Sequence, residues 1–392
     1  MAKRNQAGSG GGQRALVVGS GIAGSSAAWW LHSTGWEVTL VDAEQVPHVG
    51  GFIIQLDETA LKILESMGAQ SVISAATFPG PATAFRWKGG PRPREITVGA
   101  GESRLARRGS LAQAMLQHVP GEVEQRLGAA LVSLENRDDH VRARFEDGSV
   151  DDFDMVVGAD GLHSTVRRLT LASDAESVYH NGISHVWINV SAKIGSGAVI
   201  STREGMVTQI YPYPSDSGAL LVAALPVADP APPIRDLVEH IAGVVRRTGE
   251  DLQAVADAAL TSDDVRLTRF SQVRLPRWHT RRVVLVGDSA HCIDPLSGMG
   301  GHGALLAAAT LAHELHKRSG AEMTEAFEAY QRQMQPFVRI VQRSTSHVLE
   351  YVTKPDQRWK TLGSGVSEAL EAFPLLLSQS GRKRLVGSPS LV

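Results

Sequence analysis

The stretch that most constrains this chain is its first ordered segment. Arg14-Ala-Leu-Val-Val18 is a short apolar run that reads as a buried strand, and Gly19-Ser20-Gly21-Ile22-Ala23-Gly24 follows it at once. A helix-like stretch from Ser25 to about Ser33 comes next, then Trp36 to Val41 as a second strand ending on Asp42. Strand, glycine turn, helix, strand and acid stand in the order of the dinucleotide-binding βαβ unit, with Asp42 placed 23 residues beyond Gly19. Gly19 permits the tight turn, Gly21 lets the backbone approach a pyrophosphate, and Gly24 lets helix and strand pack closely. The unit predicts a pyrophosphate on the N–H groups of Ile22 and Ala23 at the helix amino end, with Asp42 accepting hydrogen bonds from a ribose.

Glycine is also where the composition departs from the ordinary: 39 of 392 residues, about 10% against a usual share of about 7%. The net charge of −2 gives no reason to expect nucleic acid or an anionic membrane as partner. One cysteine, Cys292, excludes an internal disulfide framework and a structural zinc site built on several thiolates, and with it a reducing, cytoplasmic setting is expected. Residues 1–13 read as a flexible glycine-rich leader with no signal peptide in it. The longest apolar run, Ala219 to Val227, is half the length of a membrane span and contains a proline.

Further along, Gly50-Gly51-Phe52 leads into a helix around Glu58 to Met67 that Gly68 closes. Arg107 to Leu116 predicts a helix entered through Ser110 as its amino cap. Val141 to Phe145 and Phe153 to Val157 read as strands joined by the turn at Glu146-Asp147-Gly148, the second ending in Gly158-Ala159-Asp160-Gly161. From Ile183 to Val227 short alternating runs predict an antiparallel sheet in a second lobe, and Ile234 to Ala259 reads as helical. Arg281 to Val286 returns as a buried strand ending on Gly287-Asp288, helices resume near Gly303, and Phe327 to Tyr351 is a long helix bent at Pro336.

Three glycine–acid turns at the ends of three buried strands are more than one nucleotide turn requires. Val157-Gly-Ala-Asp160-Gly161-Leu-His-Ser164-Thr-Val-Arg167, and Gly287-Asp288-Ser-Ala-His291 followed by Pro295 and Gly298-Met-Gly300-Gly301-His-Gly303, resemble the Asp-Gly and Gly-Asp motifs of the single-component flavin-dependent aromatic hydroxylases. These are the para-hydroxybenzoate hydroxylase-like monooxygenases, and the segment from Gly50 looks most like their tetracycline-inactivating branch. The resemblance implies an α/β fold: a Rossmann-like FAD-binding domain with an inserted antiparallel substrate lobe and long C-terminal helices. It assigns residues 14–80, 101–178 and 281–350 to the FAD domain, 81–100 and 179–280 to the lobe, and 351–392 to a C-terminal helix and tail. It further implies that Arg108 contacts FAD, that Asp288 accepts from ribityl hydroxyls, and that the Asp160-Gly161 turn serves FAD and a transient NAD(P)H. Glycines 298, 300, 301 and 303 would open onto a helix whose N–H groups face the flavin ring, leaving room for oxygen and substrate.

The activity so implied is hydroxylation or epoxidation of a ring-containing organic secondary metabolite by way of a flavin hydroperoxide, using NAD(P)H and O2, in a monomer or weak homodimer. The flavin carries the chemistry, so no catalytic acid–base pair is expected. Arg86, Trp187, Tyr211 and Tyr213 are candidate substrate contacts. Two alternatives stay open: a flavin-dependent reductase or dehydrogenase on the same fold, and a flavoprotein that only sequesters an intermediate. Departures from the family pattern are Asp42, where glutamate is usual, and Ala43, where a basic residue is frequent. His313 and His316 stand three apart and miss the zinc-protease spacing of four, so no metal is expected. The basic residues between Arg86 and Arg107 read as a solvated surface, and Cys292 as a buried filler.

Overall fold

A computed structural model describes residues 12–46, 53–88, 93–99, 103–195, 197–214, 218–320 and 322–353. Gly50-Gly51-Phe52, most of the leader and nearly all of the tail lie outside these residues.

β1 (Arg14–Val18) enters the core with four consecutive buried residues, as a parallel strand covered on both faces must. It turns through Gly19–Gly21 into α1 (Ile22–Ser33) and returns as β2 (Glu37–Asp42). The helix starts three residues earlier than its sequence pattern predicts. Gly21 is extended and stands as its amino cap, so Ile22 and Ala23 already lie in the first turn with unpaired N–H groups. β3 (Ile53–Leu56), α2 (Glu58–Ser66, capped by Asp57) and α3 (Gln70–Ala76) lead to β4 (Thr77–Pro79). The hairpin β5 (Thr83–Lys88) and β6 (Pro93–Val98) precedes β7 (Arg104–Arg107), which pairs with β3 and β4. β7 runs straight into α4 (Arg108–His118), so the amino cap is Arg107, with no side-chain cap, and Ser110 falls inside the first turn.

After β8 (Glu124–Leu127), β9 (Leu131–Asn136), β10 (Val141–Phe145) and β11 (Val150–Phe153) form a small antiparallel sheet. The run predicted as one strand from Phe153 to Val157 is two. Asp154 breaks it by exchanging hydrogen bonds with the Arg14 backbone, at 2.7 and 2.9 Å, and β12 (Met155–Gly158) then joins the central sheet beside β1. Two short helices, α5 (Thr165–Thr170) and α6 (Asp174–Ser177), and β13 (Val178–Tyr179) lead into the lobe.

The lobe contributes β14 (Ile183–Val190), β15 (Ala198–Arg203), β16 (Met206–Pro212) and β17 (Ala219–Pro226), then α7 (Ile234–Arg246) and α8 (Gln253–Ala259). The predicted helical stretch from Ile234 to Ala259 is interrupted at Arg247–Gly249, where Gly249 is extended. β18 (Val265–Arg269) closes one edge of a seven-stranded sheet in the order β18-β14-β17-β16-β15-β5-β6. Every pair is antiparallel except β15 and β5, which run parallel because they belong to chain segments more than 100 residues apart with no hairpin between them. One sheet face packs on α7 and α8 through Val186, Ile188, Leu221 and Ile241.

β19 (Gln272–Val273), β20 (His279–Thr280) and β21 (Val283–Leu285) bring the chain back. The central sheet then reads β20-β21-β12-β1-β2-β8, parallel but for β20. α9 (Asp288–His291) is followed by α10 (Gly300–Lys317), which starts at Gly300 rather than Gly303, and by α11 (Met323–Thr353), which continues through Pro336. α10 packs on α1, and with α11 it covers the sheet in one large apolar core. Among the described residues no helix is long and apolar enough to cross a membrane.

His291 sits in this core, 2% exposed, with its ring 4.8 Å from Trp278. Burial lowers its pKa from 6.5 to about 4, so the folded chain holds it neutral while the unfolded chain takes up a proton below about 6.5. The unfolded state therefore binds more protons in that window, and stability falls as the pH drops from about 6.5 towards 4. Between pH 6.5 and 5 the native chain should lose about 2 kcal/mol more than its His291→Gln variant, measured by chemical unfolding at the two pH values.

Candidate functional site

The three strand ends meet because their registers coincide. Val18 of β1 lies opposite Gly158 of β12, and Gly158 opposite Leu285 of β21, so all three strands leave the sheet at one level. They open on a cleft of about 1290 Å³ whose lining includes Gly21, Ala23, Arg108, Gly161, Asp288 and Pro295. Ile22, Gly298, Gly300 and Gly301 also line it.

The glycines divide by role. Gly19 has φ +105, and a Cβ there would lie 2.5 Å from the Ala159 carbonyl oxygen; one on Gly24 would lie 1.7 Å from that of Gly19. These two are required by the fold. Gly21 and Gly300 face the cleft with nothing within 4 Å of an added Cβ and with ordinary φ, so the protein itself does not demand glycine at either. They keep open a space that side chains would fill, which fits a flat cofactor lying against backbone. The expectation that glycines 298–303 all make room in the cleft is corrected at one position: Gly301 lines the cleft beside Ile54, whereas Gly303 is not part of its lining and faces Phe337 and Ile293 at ordinary contact distance.

The acids differ as well. Asp42 accepts hydrogen bonds from the Ser20 N–H and Oγ at 2.6 and 2.7 Å and from the Glu44 N–H at 2.9 Å, so its shorter arm braces the glycine turn. Asp160 points away from the cleft. Its carboxylate accepts from Ser164 Oγ (2.5 Å), the Val166 N–H (3.0 Å) and Ser289 Oγ (3.2 Å), while the Gly161 N–H donates to Ser289 Oγ (2.9 Å). Fully buried Arg167 completes the lashing by donating to the Ser289 and Leu162 carbonyls and to Asp174. Of these three acids Asp288 is the one that lines the cleft, together with Asp294 from the loop beyond it; burial raises the Asp288 pKa, partly opposed by the Arg108 guanidinium. Cys292 beside it is held as a neutral thiol, its pKa pushed up by burial and by Asp288.

A second, narrower chamber adjoins the cleft and shares Ile53, Pro295 and Gly298 with it. Trp187 and Tyr211, two of the candidate substrate contacts, line it. Tyr213 packs at its edge, with the Arg107 guanidinium 4.0 Å over its ring and its hydroxyl donating to Asn189. Arg86 does not belong to it. Strand alternation puts Phe85 on the chamber side of β5 and Arg86 on the other, where it pairs with Glu95 at 2.7 Å and Asp251 at 2.8 Å.

Sequence reasoning missed the residues that weld lobe to cleft. His185 on β14 bonds through Nε2 to Asp294 at 3.0 Å, both side chains wholly buried, and Asp294 also accepts from the Leu296 N–H at 2.9 Å. Asp294 stands at φ +69, a left-handed conformation that only this local bonding makes tenable. His302 in the first turn of α10 bonds Asp57, the cap of α2, at 2.9 Å. The readable signals were the alternation that places His185 with Trp187, and the acid directly before Pro295.

Asp288→Asn tests the cleft-facing acid. Retention of FAD should fall at least about tenfold, read as flavin released during gel filtration.

A family model described as an FAD binding domain matches residues 13–345. An uncharacterized protein of Mycobacterium tuberculosis is 30% identical over 336 residues, which cover 82% of this chain and 90% of that one. The 3-amino-4-hydroxybenzoate 2-monooxygenase of Streptomyces cremeus is 27% identical, with 88% of each chain covered. Among solved structures, Klebsiella pneumoniae HpxO complexed with FAD and uric acid has a TM-score of 0.77 at 19% identity, covering 97% of this chain and 98% of that one. The tetracycline destructase Tet(51) has a TM-score of 0.70 at 22% identity, covering 96% and 99%.

Proposed function

Because this chain belongs to the FAD-binding-domain family of flavin-dependent monooxygenases, we propose that it uses NAD(P)H and O2 to insert one oxygen atom into a ring-containing organic substrate held in the chamber beside Trp187 and Tyr211. The observation that carries this reading is the shared wall. Pro295 and Gly298 line both the cleft that fits FAD and the chamber that opens from it.

FAD, when bound, would supply the redox chemistry, carrying two electrons from the nicotinamide donor to dioxygen so that one oxygen atom enters the product and the other leaves as water. The protein's share is binding, orientation and exclusion of water. The free N–H groups of Ile22 and Ala23 would hold the pyrophosphate, with Asp42 keeping acceptor capacity for a ribose hydroxyl. Arg108 and Asp288 would bind the polar chain between. N–H groups at the start of α10, from Gly300 and Gly301, would offer the positive end of a helix dipole to the negative charge that gathers on a reduced flavin. The aliphatic part of the chamber wall, Leu105, Leu220, Val222 and Leu296, would help keep water from the reacting atoms. In this reading the central sheet and its helices form the cofactor domain and the seven-stranded sheet the substrate lobe.

Oxygen labelled at both atoms decides the matter. The expected outcome is NAD(P)H consumption stimulated by substrate, with one labelled atom in the product and one in water. Turnover of NAD(P)H with reduced but unlabelled product would identify a reductase instead.

A further inference from the structure

We propose that Gln209 is the residue that selects the substrate, by donating a hydrogen bond to an oxygen or nitrogen acceptor on an uncharged aromatic ring system. This deepens the monooxygenase reading and rests on it, because it takes the chamber as the place where substrate is held.

Gln209 lies on β16, and the strand register sets it in one row with Val222 of β17 and Trp187 of β14. The same alternation that turns Tyr211 into the chamber turns Gln209 there, and both line it. The side chain is 5% exposed. Its Oε1 accepts from the Tyr211 hydroxyl at 3.4 Å, which orients the amide, and its Nε2 has no partner in the protein. Neighbouring donors are engaged: the Trp187 indole N–H by Thr268 Oγ1 at 2.8 Å, and Ser297 Oγ by the Asp294 carbonyl at 2.8 Å.

A buried donor left unpaired costs stability, so its retention in the chamber wall points to a partner that arrives with the ligand. The described residues lining the chamber carry no charged side chain. A carboxylate would enter without a counter-ion and keep its desolvation cost, whereas a carbonyl or ring nitrogen would satisfy Gln209 at little cost. The Trp187 ring and the aliphatic wall supply the flat apolar contact. The substrate class is therefore a neutral, planar ring system bearing one inward-facing acceptor.

The test uses the FAD-loaded enzyme and matched pairs that differ only by a carbonyl: 1-tetralone with tetralin, and 9-fluorenone with fluorene. Binding is read from the absorbance change of bound flavin. The wild type should bind each ketone about tenfold more tightly than its hydrocarbon, and Gln209→Leu should level the pair by weakening the ketone alone. No ketone preference in the wild type, including no ketone binding, overturns the proposal, as does a preference that survives in the variant. Without ligand, Gln209→Leu should melt at or above the wild-type temperature; a fall of several degrees would mean that the amide has a protein partner, and would overturn it too. Because these readouts are binding and melting, a result against Gln209 stays distinct from a failure to find labelled product.

Discussion

Everything in this molecule hangs on the register by which β12 holds β1 on one side and β21 on the other. Gly158, at the end of β12, is the pivot. A Cβ there would strike Leu285 of β21 at 2.6 Å and Val166 of α5 at 2.8 Å, so the close packing of β21 and α5 on the end of β12 favours a residue without one. A slip of one residue would invert the faces of β12 and carry the Asp160-Gly161 turn out of level with the glycine turn after β1. The turns are then tied side to side, Asp160 and Gly161 to Ser289, and Arg167 to both. A single cleft results where three separate loops would otherwise diverge.

The lobe is fixed to that cleft by a buried hydrogen bond. His185 comes from the substrate sheet and Asp294 from the loop that would face the flavin, and both are removed from water. Removing one partner of such a buried hydrogen bond costs about 1–3 kcal/mol in other proteins, because the remaining group is left unsatisfied. The pair thus sets the spacing between the backbone at Pro295 and the wall that carries Trp187. Asp57 and His302 fix the amino end of α10 in the same manner from the opposite side. Monooxygenase chemistry needs this rigidity more than it needs acids or bases, since the cofactor brings the reactivity and the protein supplies the distance.

How much of this was readable in the sequence depends on how local the cause is. The βαβ unit and the two later glycine–acid turns are written within a few residues each, and their physical reasons, positive φ and close approach, belong to single positions. Helix starts were displaced at Ile22, Arg108 and Gly300 because the turns before them continue directly into helix, without the side-chain cap that marks a boundary. Arg86 was misplaced because alternation reveals which residues share a face but not which face is covered; the partner that decides it, Asp251, lies 165 residues away. Gln209 was invisible for a deeper reason. Its importance lies in the partner it lacks, and only the assembled chamber shows that the Trp187 and Ser297 donors beside it are already engaged.

A crystal structure of the enzyme with FAD bound measures the central claim directly. The account predicts the pyrophosphate against the Ile22 and Ala23 N–H groups, Asp288 within hydrogen-bonding distance of the ribityl chain, and the isoalloxazine ring between the Gly300 end of α10 and the chamber of Trp187 and Gln209. An isoalloxazine ring placed away from that chamber, or a pyrophosphate that does not meet the amino end of α1, would contradict it.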